Sequence, residues 1–91
     1  MSLADAVYAL EEQAAGRVPA RARLLAGALA LDTLAQRGTA DRDILDAAAG
    51  LSSQATGGTM NLDDAGRRRA AQLAERVRAF ARATGQGPSP A

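Results

Sequence analysis

Histidine, cysteine and lysine are absent, so the chain's reactive side chains are eleven arginines, ten carboxylates, a single tyrosine and the Ser/Thr hydroxyls. That inventory lacks the usual nucleophile–base pairs, the phosphate-loop lysine, the Schiff-base amine and any thiolate metal site. The carboxylates cluster as Glu11–Glu12, Asp41–Asp43 and Asp63–Asp64. Adjacent residues of a helix point to different sides, so the first and last of these cannot share a proton or an ion. Asp41 and Asp43 read as charges that suit the first turn of a helix. No calcium-loop spacing is present. The expectation is therefore no enzyme, no catalytic residue, no cofactor, no metal site and no small-molecule substrate.

The arginines raise a second chemistry, the binding of nucleic acid. Arg67, Arg68 and Arg69 are consecutive, but on a helix they fan over about 200° and make no single patch. Asp63 precedes Arg67 by four, Asp64 precedes Arg68 by four, and Glu75 precedes Arg78 by three. Those are favourable helical pairings worth a few tenths of a kcal/mol each, roughly 0.2–0.5, and they predict a solvated, internally paired face. A row of phosphate contacts would be Arg68, Arg69, Arg76 and Arg82. Base-stacking partners are scarce, with only Tyr8 and Phe80 present.

The stretch Ala47–Asn61, AAAGLSSQATGGTMN, carries a likeness to a DNA-binding helix-turn-helix. Gly50 would be the turn and Leu51 the apolar residue after it. The small residue due four positions before the turn is Asp46, and the inward positions of the second helix are Ala55 or Thr56 and Thr59. Gly57 and Gly58 would lie inside that helix at about 1 kcal/mol each relative to alanine. Gln54 is the only base-reading side chain. A Gly/Ser/Thr loop over residues 51–60 explains the stretch better, and a loop this long is a candidate to order on a partner.

Apolar periodicity predicts the elements that hold these residues: an all-α, small four-helix bundle with helices at about 3–15, 19–37, 40–49 and 62–84, forming one domain over 1–84 and followed by a disordered tail at 85–91. Ser2 is the expected cap of the first helix, with Asp5 three residues on. Leu3, Val7, Leu10 and Ala14 form that helix's face, Gly16 ends it, and Pro19 suits the first turn of the next. Thr39 is the expected cap of the third helix, with Ile44, Leu45 and Ala48 on its apolar side, and Gly50–Leu51 resembles a Schellman ending. Asn61 is the expected cap of the fourth, whose seam is Leu62, Gly66, Leu73, Val77, Phe80 and Thr84.

In the second helix Leu24, Leu25, Ala28, Leu29, Leu31, Leu34 and Ala35 cover well over half the circumference. A stripe that wide faces neighbours on more than one side. The chain holds nineteen bulky apolar residues, the rest of its apolar content being alanine. A core of that size is marginal for a lone domain. Self-association, a dimer by preference, and a protein partner are therefore expected, through Leu24, Leu25, Leu29, Leu31, Leu34, Leu73, Val77 and Phe80. Asp32 lies inside the apolar arc, and a buried carboxylate must be paired. Arg69 or Arg76 is its candidate partner, within the chain or across a dimer; the alternative is that Asp32 lies close enough to the helix end to reach water.

The net charge of +1 favours neither nucleic acid nor its absence. Residues 1–61 sum to −2, with five Arg against seven acids, and residues 62–91 to +3, with six Arg against three acids. No apolar run approaches the roughly 20 residues of a membrane span, and the N-terminus has no basic n-region. A cytoplasmic protein that does not enter membranes is expected. The Ala, Gly, Arg and Pro usage matches GC-rich codons and suggests a bacterial or phage source. The sequence therefore points to protein–protein contact as an adaptor, assembly factor or inhibitory regulator. The alternatives are a small DNA-binding transcriptional regulator and a structural subunit of a symmetric assembly.

Overall fold

The structure is a computed structural model and describes residues 3–39, 41–59 and 63–84. The described residues form α1 (Ala4–Ala14), α2 (Arg21–Gln36), α3 (Arg42–Ala55) and α4 (Asp64–Thr84), with no strand. The expected caps Ser2 and Asn61, the seam residue Leu62, the predicted start of the third helix at Ala40 and the tail 85–91 lie outside the described residues.

Three helices end alike. At Gly16, Gly38 and Gly57 the backbone takes a positive φ. The following N–H then reaches back five residues: Arg17 to Glu12, Thr39 to Leu34, and Gly58 to Ser53. This is the Schellman pattern, in which glycine adopts a left-handed conformation without a Cβ clash and satisfies carbonyls of the last turn. The predicted ends at Gly16 and Gly38 therefore hold. The predicted end at Gly50 does not, because α3 runs through it to Ala55. Ile44, Ala47, Ala48, Leu51 and Ala55 are all buried on one side of α3, so burial of that continuous stripe outweighs glycine's weak helix propensity at one exposed position.

Two other boundaries shift for local reasons. Ala20 is still extended (ψ 142), so α2 starts at Arg21 and Pro19 precedes the helix instead of occupying its first turn. Asp41, not Thr39, caps α3: its Oδ1 accepts the N–H groups of Asp43 at 3.0 Å and Ile44 at 3.2 Å. At α4 the Asp63 carboxylate accepts the Gly66 N–H at 2.8 Å, which places a cap immediately before the helix.

The main helix contacts run in a ring, α1 on α2, α2 on α3, α3 on α4 and α4 back on α1, with α3 against α4 the slightest of the four. α2 and α4 thus occupy opposite corners. The core is one cluster in which Leu3, Leu10, Leu31, Ile44, Leu51 and Val77 are the largest fully enclosed side chains, filled in by many alanines. Small residues let helices approach closely. Gly27 marks such an approach: an added Cβ would lie 2.8 Å from the Ala6 Cα and 3.0 Å from its backbone nitrogen. α1 and α2 therefore cross backbone to backbone at Ala6 and Gly27.

Candidate partner-binding surface

α2 divides its leucines between two environments. Leu24, Leu31 and Leu34 are buried at 3%, 0% and 4% exposure, whereas Leu25 and Leu29 remain 47% and 57% exposed. At roughly 100° per residue, one arc carries Leu24, Leu31 and Leu34 into the bundle and the opposite arc carries Leu25 and Leu29 outward. On α4, Leu73 and Val77 are also buried, and Phe80 packs half-buried against the core. Of the eight residues expected to meet a partner, Leu24, Leu31, Leu34, Leu73 and Val77 are therefore corrected to the protein's own core. Helical periodicity identifies apolar stripes but not what covers them, and here the bundle covers most of both. Because α2 and α4 sit at opposite corners, they do not present a common face. Leu25 and Leu29 are what remains on α2.

The exposed pair borders an apolar groove. Leu25, Ala28 and Leu29 of α2 line a space of about 310 Å³ together with Ser52 and Ala55 of α3, Thr56 just after it, and Asp32. Ala55 and Thr56 also line a larger depression of about 550 Å³, walled by Val18 and Pro19 before α2 and by the turn at Gly57–Gly58. Arg21 borders that second depression. Among the described residues Arg21 and Asp32 are the charged groups lining these two spaces. Neither space gathers an acid–base pair, and among the described residues no group of three or more carboxylates is placed to hold a metal.

Asp32 is half-buried and makes no ion pair among the described residues. The expected partners are engaged elsewhere. Arg69 donates to Asp43 and to Asp46, each at 3.0 Å, and Arg76 donates to Asp41. The Asp43 carboxylate, seconded by Asp46, raises the Arg69 pKa above its ordinary value against the opposing effect of partial burial. The Arg76 hydrogen bond lowers the Asp41 carboxyl below its usual value; partial burial opposes it, and the Ile44 and Asp43 amides reinforce it. These pairs fasten α4 to the acidic start of α3, and these are the two helices that touch least in the ring. The intrachain pairing of Asp32 with Arg69 or Arg76 is accordingly replaced by Arg69–Asp43/Asp46 and Arg76–Asp41. Elsewhere, Arg78 joins Glu75 and reaches Glu11 of α1, and Arg67 pairs with Asp64, which was expected to hold Arg68. On the other flank, Arg23 meets Glu12 at 3.3 Å and Asp5 at 3.7 Å, and lies 5.2 Å from the centre of the Tyr8 ring.

The features suggesting DNA contact are arranged differently from a helix-turn-helix. Residue 50 sits inside one continuous helix, so there is no turn there and, among the described residues 52–59, no separate second helix. Ser52 to Ala55, expected in a loop, are its last turn. Gln54, the one base-reading candidate, receives a 2.6 Å hydrogen bond from the Gln13 amide, which is 5% exposed. Of the arginine row, Arg69 and Arg76 are committed to acids. Arg68 and Arg82 are exposed and stand about 21 Å apart along α4 at 1.5 Å per residue.

No individual residue type announced the Gln13–Gln54 bond, the Gly27–Ala6 crossing or the Arg76–Asp41 contact; each joins residues far apart in sequence. The end of α3 did carry a signal, since Ile44, Ala48, Leu51 and Ala55 keep the helical period past Gly50. These features define the class of protein as an all-α four-helix bundle with an exposed leucine pair. No family model matches the chain, and comparison with curated proteins and with solved structures yields no match. Among the described residues no helix is long and apolar enough to cross a membrane.

Proposed function

We propose that this chain is a non-enzymatic helical-bundle protein that acts through protein–protein contact, as an adaptor, assembly factor or inhibitory regulator, and that it self-associates through the outer face of α2. The observation that carries this reading is the pair Leu25 and Leu29, about half exposed one helical turn apart beside an apolar groove. Fully burying a leucine contributes about 1.5–3 kcal/mol, so covering two half-exposed ones on each of two copies supplies a useful part of a weak association energy. A two-fold contact uses the same patch on both copies and closes on itself, which favours a dimer over an open array.

The test is the solution mass of the wild type and of a Leu25→Glu/Leu29→Glu variant by sedimentation equilibrium. Dimer in the wild type and monomer in the variant, with unchanged far-UV circular dichroism, supports the reading. A wild type that stays monomeric at about 100 µM, where even a small interface is populated, overturns it, as does a variant that still dimerises.

A further inference from the structure

Resting on that self-association, we infer that the occupant of the α2 stripe is a second α2 running antiparallel, in the register that sets Arg21 of each copy against Asp32 of the other. Along the outer face of α2 the order is Arg21, Leu25, Leu29, Asp32. At about 100° per residue these four fall within roughly 80° of arc, so one facing helix meets all of them. The stripe thus carries a cation at one end, two leucines in the middle and an anion at the other end.

That order is self-complementary in one direction only. A two-fold axis crossing α2 at the level of residue 27 places Leu25 opposite the second copy's Leu29. Arg21 lies six residues to one side of that level and Asp32 five to the other. The mismatch is a single residue, about 1.5 Å along the axis, well within the span of an arginine side chain. Parallel pairing instead brings Arg21 to Arg21 and Asp32 to Asp32, a like-charge arrangement that suppresses association. The groove beside Leu25 and Leu29 supplies room for the incoming leucines.

The charges are also available. Asp5, Glu11, Glu12, Asp41, Asp43 and Asp46 each hold an arginine. Asp32 is the one carboxylate among the described residues up to 59 that holds none, and it borders the exposed leucines. Arg21 likewise has no ion pair among the described residues, although Arg23, two residues on, has two. The partner of Asp32 therefore lies outside the monomer: half-buried now, Asp32 loses water when a second helix covers the stripe, and Arg21 of that helix compensates it.

The test uses Arg21→Asp, at an exposed position, and Asp32→Arg, at a half-buried one. Each single variant places like charges at both symmetric contacts, and self-association measured by sedimentation at low salt weakens by about tenfold or more. Mixed one to one, the two variants regain a dimer of mixed composition, visible by native mass spectrometry, because each then supplies the charge the other lacks. Single variants that dimerise as well as the wild type, while Leu29→Glu abolishes the dimer, overturn the register and leave the self-association standing. Weakened single variants that do not rescue each other overturn the register too. A monomeric wild type sinks both.

Discussion

Replacing Gly50 with alanine separates two accounts of residues 47–61. In the structure Gly50 lies in the interior of α3, is exposed, and is not among the glycines with positive φ. A Cβ built there meets nothing within 4 Å. The substitution therefore adds no strain and removes the conformational freedom of a helical glycine, a gain of about 0.8–1 kcal/mol. For a domain of this size a gain of 1 kcal/mol raises Tm by about 4–8 °C. Were Gly50 a turn or a left-handed helix end, alanine would instead cost about 1–2 kcal/mol. The two accounts thus differ in sign and by roughly 2–3 kcal/mol, the sum of those two effects. Urea titration followed by circular dichroism at 222 nm measures the difference, at one fixed protein concentration so that any dimer contributes equally. A midpoint at or below that of the wild type with an unchanged slope would refute the continuous helix.

The same substitution at Gly27 should act in the opposite direction. Its Cβ would sit 2.8 Å from the Ala6 backbone, so a net loss of about 1–2 kcal/mol is expected once overpacking is set against helix propensity; a Gly27→Ala protein more stable than the wild type would show that α1 and α2 do not cross there. Asp41→Asn should retain much of the α3 cap while losing the charged contact with Arg76, so it should cost less than Asp41→Ala, which forfeits about 0.5–2 kcal/mol of capping as well. Because the folded Asp41 pKa lies below its ordinary value of 3.8, its stabilisation is complete above pH 3.8 and fades as pH falls through the lowered value. The acid arm of the stability profile should therefore be shallower in Asp41→Asn. Gln54→Ala should cost about 1–3 kcal/mol by leaving the buried Gln13 amide without its partner, and a neutral result in chemical denaturation would remove that bond from the account of the fold.

What the sequence determined alone is what depends on neighbours close along the chain. Periodic apolar residues specify three amphipathic helices and a fourth, α2, that is apolar over most of its circumference, and Gly16 and Gly38 end two of the four, because burial along a helix face and left-handed backbone at a terminus are local requirements. The absence of histidine, cysteine and lysine narrows the chemistry without any coordinates. At Gly50 two local signals compete: a glycine and a following leucine resemble a helix end, while the apolar period from Ile44 to Ala55 continues the helix, and burial of that stripe in the bundle decides for the helix. Which leucines are interior, and which acid each arginine holds, belongs to the tertiary structure. A helical stripe has an angular width but no record of how much of it the rest of the bundle will cover. An arginine three or four residues from one acid can reach another across a helix boundary at equal cost. Packing α2 between α1 and α3 encloses Leu24, Leu31 and Leu34, leaves Leu25 and Leu29 outside, and leaves Asp32 beyond the reach of Arg69 and Arg76, because those arginines are held on the far side of the bundle by α3's own acids.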